Sequence, residues 1–164
     1  MKRVCIYGLI LCCLCASLVA TADSRSSRYR KKEILKKQRD KQNTPVQWNS
    51  DLNKALKEAR QKNGKVFLLI TGSTWCGPCK LLESKVLSSS DFAKYASKNL
   101  ALLKVDVPAR GNLTSEGQKI TRQYPFRGVP MVYILDSNGK VLERRSGYGG
   151  ASPKDYIKSF KSLK

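Results

Sequence analysis

Val66-Phe67-Leu68-Leu69-Ile70-Thr71-Gly72-Ser73-Thr74-Trp75-Cys76-Gly77-Pro78-Cys79-Lys80-Leu81-Leu82-Glu83-Ser84-Lys85-Val86-Leu87 joins an apolar run to a segment whose apolar residues recur at helical spacing. The run reads as a buried strand and the segment as a helix, so the two cysteines stand at a strand-to-helix junction. There the unpaired N–H groups and the positive end of the helix dipole favour a thiolate at Cys76. The dipole contributes about 0.3–1 kcal/mol, up to roughly one pKa unit, and hydrogen bonds to sulfur must supply the rest. Two thiols separated by two residues can close a small disulfide ring and reopen it, passing two electrons to or from another dithiol.

Composition removes the competing readings of this pair. The chain has no histidine, so a Cys/His zinc site, Cys-x-x-Cys-His haem attachment and His-based acid–base or triad chemistry are out. Four of the six cysteines, Cys5, Cys12, Cys13 and Cys15, crowd the N-terminus. Too few thiols remain for an iron–sulfur cluster. A purely structural disulfide closing so short a loop would constrain little of the unfolded chain. A redox-active centre is the reading left, with no metal and no cofactor expected.

The hexapeptide Trp75 to Lys80, followed downstream by Arg127-Gly128-Val129-Pro130, Met131-Val132-Tyr133-Ile134-Leu135 and the turn Asp136-Ser137-Asn138-Gly139, resembles the thioredoxin family. It looks most like the secreted or periplasmic thioredoxin-like thiol–disulfide oxidoreductases. The resemblance implies an α/β fold in one domain, a central mixed β-sheet flanked by helices. It implies Cys76 as attacking thiolate and Cys79, more buried one turn on, as the thiol that resolves the mixed disulfide. Pro130 would be cis, the Val129 backbone would pair with an extended substrate, and Trp75, Gly77 and Pro78 would complete the groove. Gly77-Pro78 leans towards reduction. Partners would be protein thiols and disulfides and a membrane or soluble redox partner, with the protein itself a monomer.

This chain also departs from that pattern. Ile70 stands six residues before Cys76, where many thioredoxins carry a buried aspartate that assists proton transfer. Lys104 corresponds to the lysine that partners it and is a proton-transfer candidate, with water and the substrate as the alternatives for deprotonating Cys79. Ser84 replaces the usual helix proline.

Met1-Lys2-Arg3, the uncharged stretch from Val4 to Ala22, and the small residues Ala20 and Ala22 predict a secretory signal peptide over 1–22, cleaved before Asp23. An uncleaved anchor is the alternative. Residues 23–44 carry nine basic and three acidic residues, a basic arm unable to fold alone. Residues 45–164, the expected domain, carry 21 basic and nine acidic residues. This charge suggests an anionic membrane surface or envelope polymer as partner, or simply a solvated basic surface. Nucleic acid is not expected, since no nucleic-acid-binding motif accompanies the charge. The rival to an enzyme is a basic thioredoxin-like module that docks on such surfaces, with redox activity secondary.

Periodicity predicts the remaining elements. A helix starts at Ser50 with Leu52, Ala55, Leu56 and Ala59 on one face, stops at Gly64 and covers Trp48. Ser90-Asp91 caps the next helix, Leu100 to Val107 is a strand, and Ser115 with Gln118 opens a helix to Tyr124. Strands over 131–135 and 141–145 flank the Asn138-Gly139 turn, and Ser152-Pro153 starts the last helix.

Overall fold

The computed structural model describes residues 26–34 and 46–163; the expected signal peptide and the rest of the basic arm lie outside the described residues. Residues 26–34 form an exposed helix, in which Arg30 donates to Ser26 Oγ at 3.3 Å. That helix and the domain over 46–163 are separate units.

The apolar run becomes β2 (Lys65–Thr71), buried from Val66 onward. It pairs in parallel with β3 (Leu100–Asp106), which pairs in parallel with the short β1 (Trp48–Asn49). On its other side β2 meets β4 (Met131–Leu135), and β4 meets β5 (Val141–Ser146), both antiparallel. The order β1-β3-β2-β4-β5 is the mixed sheet the sequence implied.

Side chains alternate along a strand. Val66, Leu68 and Ile70 therefore face one layer, built from α1 (Leu52–Gln61) and α4 (Ser115–Gln123), while Phe67 and Leu69 face the other. The second layer holds α2 (Gly77–Leu82), a π-helical turn over Glu83–Leu87, α3 (Ser90–Asn99) and α5 (Pro153–Lys161). At its centre the Phe67 ring is met edge-on by Trp48, Phe92 and Phe160, with centroids 6.1, 5.4 and 5.6 Å away. Aromatic pairs in this arrangement gain about 0.5–1.5 kcal/mol beyond their buried area.

Several local expectations shift. Trp48 does not lie under α1: its strand pairs Trp48 with Leu102, which places the ring on the Phe67 layer, across the sheet from that helix. The caps of α3 and α4 are Ser89 and Thr114, each one residue upstream of the expected serine. Their oxygens accept from Phe92 N at 3.2 Å and Gly117 N at 3.0 Å, whereas Ser90 and Ser115 are already helical. Ser152 caps α5 as expected, ahead of Pro153. Helix α1 starts from Asp51, and the left-handed residue after it is Asn63, with φ 48°. Gly64 is needed for another reason: a Cβ there would fall 2.3 Å from the Asn99 carbonyl oxygen.

Candidate active site

Cys76 ends the loop after β2 in extended conformation and is the N-cap of α2, whose first turn contains Pro78. Proline fits there because its missing N–H would have no helical partner. Cys76 and Cys79 are joined by a disulfide with Cα atoms 5.2 Å apart. The Cys79 N–H points at Cys76 Sγ at 3.2 Å, and the Gly72 N–H points at Cys79 Sγ at 3.5 Å. Backbone dipoles thus face both sulfurs, the arrangement that favours a thiolate.

The contrast in burial is smaller than the sequence implied. Cys76 is 6% exposed and Cys79 3%. Cys76 is covered because the loop before β4 folds over it: the Val129–Pro130 bond is cis, as expected, and Val129 O lies 3.6 Å from Cys76 Sγ. Gly77 and Pro78 are exposed at the helix tip, and a Cβ on Gly77 would meet nothing. Trp75 is half-exposed beside the dithiol, its Nε1–H bonded to Val107 O at 2.8 Å.

The residues that fix this Trp75 position escaped the sequence reading. A Cβ on Gly72 would lie 2.5 Å from the indole, so glycine lets the ring pack on the backbone. Ser73 donates through its N–H, at 2.9 Å, and its hydroxyl to the Asp106 carboxylate. Val107 N–H in turn bonds to Thr71 O. The loop before the dithiol is therefore stitched to the end of β3. No local pattern marks these residues, because Ser73 and Asp106 are 33 positions apart.

Beside Cys79 lies a half-open pocket of about 420 Å³, lined by Thr71, Ser73, Lys80, Glu83, Ser84, Ser88 and Lys104 as well as the thiol itself. Lys104 is half-buried, its Nζ 3.6 Å from Glu83 Oε2 and 5.0 Å from the centre of the Trp48 ring. The expected Lys104 therefore does reach the dithiol's surroundings. Ile70 is fully buried on the opposite face of the sheet, clustered with Val105 and Met131. Glu83 was missed, although its place four residues after Cys79 sets both on one helical face.

A Cys-x-x-Cys disulfide at a helix N-terminus, opposed by a cis-proline loop and set at the end of a mixed sheet's central strand, defines a dithiol–disulfide redox protein. A family model described as Thioredoxin-like matches residues 47–137, and the chain belongs to that family. The Disulfide bond reductase DsbH of Chlamydia pneumoniae is 32% identical over 126 residues, covering 73% of this chain and 75% of that protein. Thioredoxin-1 of Drosophila melanogaster is 32% identical over 96 residues, 58% of this chain and 78% of that one. The solved structure of a DsbH oxidoreductase superposes with a TM-score of 0.64 at 29% identity, covering 73% of this chain and 84% of that one. The chain is a thioredoxin-like thiol–disulfide oxidoreductase.

Proposed function

We propose that the protein exchanges disulfides with other proteins outside the cytoplasm, with Cys76 as attacking thiolate and Cys79 as resolving thiol. The carrying observation is the asymmetry of the pair: Cys76 caps α2 and lies against the Val129–Pro130 loop, while Cys79 lines the half-open pocket on the aromatic side of the sheet. Cys76 Sγ attacks a substrate disulfide, forming a mixed disulfide and expelling one substrate thiolate. Cys79 Sγ then attacks Cys76 Sγ, closing the ring and releasing the second substrate thiolate, so two electrons pass to the substrate. Trp75, Gly77, Pro78, Val129 and Pro130 border the groove. Lys104 sits where its charge favours the Cys79 thiolate. Reduction is the favoured direction, supported by Gly77-Pro78 and by the likeness to a protein called a disulfide bond reductase. Export rests on the N-terminal sequence; among the described residues no helix is long and apolar enough to cross a membrane.

Cys76→Ser should abolish insulin reduction and form no adducts. Cys79→Ser should accumulate mixed disulfides with natural substrates, seen as bands on non-reducing gels that dithiothreitol removes. Adducts on Cys76→Ser alone would reverse the assignment, and insulin turnover unchanged in both variants would end the enzyme reading. Signal cleavage is checked by the intact mass of the exported protein, which should begin at Asp23; a species retaining Cys5 to Cys15, or carrying a lipid, would refute it.

One observation favours a second role, docking on an anionic surface. Among the described residues every acidic side chain of the domain except Asp91 accepts a hydrogen bond or an ion pair, while Lys62, Lys104, Lys119 and Arg145 are the only ion-paired bases. The exterior is left cationic. Binding to anionic vesicles should weaken as salt rises, since exposed charges are screened beyond a Debye length of about 8–10 Å. Removal of residues 23–44 should weaken it further while sparing insulin reduction. Binding indifferent to both would discard the docking role.

A further inference from the structure

We propose that Glu83, held in place by Lys104, accepts the proton of Cys79 through water in the pocket that both residues line. This deepens the reading of Cys79 as the resolving thiol and rests on it. Resolution needs a thiolate, and Cys79 is 3% exposed: the Gly72 N–H and the Lys104 charge favour that thiolate, but the proton leaving a covered sulfur still needs an acceptor. Its amide partner, the Gly72 N–H, is a donor and cannot accept one. The cavity that Cys79 lines provides the remaining route, and Glu83 contributes its one anionic side chain. The other lining groups are hydroxyls and the two lysines Lys80 and Lys104. Asp106, the next carboxylate towards the loop, is taken up by the Ser73 N–H and hydroxyl.

Two features fix the carboxylate. Lys104 Nζ stands 3.6 Å from Glu83 Oε2, and that ammonium is itself backed by the Trp48 ring at 5.0 Å. Glu83 also begins the π-helical turn that follows α2 directly, a widening of the helix often found at functional sites. With Ile70 turned to the opposite layer, β2 offers no polar side chain there except Thr71, whose hydroxyl is no base. In the forward step the proton leaves Cys79 Sγ through water for a Glu83 carboxylate oxygen as Cys79 Sγ bonds to Cys76 Sγ. The Cys76–substrate S–S bond breaks, the electron pair leaves with the substrate sulfur, and Glu83 then gives its proton to that thiolate or to solvent. No other oxidant or reductant enters. A transfer through water to a partly exposed carboxylate should help less than the ~10²–10⁴-fold of a directly positioned base.

The test separates the two thiols. The reduced full-length protein is mixed with 5,5′-dithiobis(2-nitrobenzoate) in a stopped-flow instrument: the first coloured thiolate reports attack by Cys76, the second reports resolution by Cys79. Glu83→Gln should leave the first phase unchanged, slow the second about tenfold at pH 7 and move its pH dependence to higher pH. Glu83→Asp should restore part of the second phase, and Lys104→Met should slow it too. The idea is overturned if Glu83→Gln keeps a wild-type second phase from pH 5 to 9, or if Glu83→Asp and Glu83→Gln slow both phases alike, which would mark a structural role. The outcome is independent of the protein-substrate reading, which would fail instead through absence of insulin reduction by the wild type.

Discussion

One face of the sheet is packed with small and aliphatic side chains, Ala55, Ala59, Leu68, Ile70 and Leu103 among them, with the Tyr124–Tyr133 pair at its side. The other face centres on Phe67, met edge-on by three aromatic rings, and continues through Leu82 and Val86 into the helix that carries the dithiol. Strand β2 supplies both faces with alternate residues of one apolar run. Yet only the aromatic layer holds Cys79, Glu83 and Lys104 close together. Rigid packing of large rings suits the layer that must keep two sulfurs in bonding reach, while the aliphatic layer serves to close the fold.

The largest expected effect tests that division. Phe67→Ala should cost about 3–5 kcal/mol of stability and also lower insulin turnover per folded molecule. Leu68→Ala, on the opposite face of the same strand, should cost about 2–5 kcal/mol yet leave that turnover unchanged. Denaturant titration alongside the insulin assay reads both numbers, and equal losses of turnover would break the comparison.

A smaller effect is expected at the edge of the site. Gly72→Ala places a Cβ 2.5 Å from the indole of Trp75, a ring already tied to Val107 O. The ring must move, at a cost of about 1–3 kcal/mol. Trp75 fluorescence should shift and KM for insulin rise, with the reactivity of Cys76 towards small disulfides kept. An unaltered emission spectrum would show that the indole is free to slide and that Gly72 does not set its place.

The smallest effect belongs to the far end of the aromatic layer. Burial pushes the Tyr156 phenol up, with nearby Arg145 pulling more weakly the other way. A phenol with a raised folded pKa contributes stability that is whole below its unfolded value of about 10. That contribution is lost as pH climbs through the folded value. Tyr156→Phe should therefore flatten the fall in Tm above pH 10 while leaving Tm at pH 7 level or slightly higher. An equally steep alkaline fall in the variant would place the ionisation elsewhere.

Much of this was legible in the chain itself. A run of five apolar residues, Cys-Gly-Pro-Cys and a helical repeat decide strand, redox turn and helix, because each rests on local chemistry: an unbroken apolar run, ring closure between near neighbours and helical spacing; the place of Val129-Pro130 was implied by the family resemblance. The basic charge and the lack of histidine also come from sequence alone, and they settle which chemistries are available. Tertiary structure decided the rest. Trp48 lies across the sheet from the helix it was expected to support because pairing with Leu102, 54 residues away, sets its side. The Ser73–Asp106 link and the meeting of Glu83 with Lys104 depend on β3 lying parallel beside β2. Cys76 is nearly as covered as Cys79 because a loop 53 residues downstream folds over it. Such contacts leave no periodic trace, since what joins them is sheet register and not spacing along the chain.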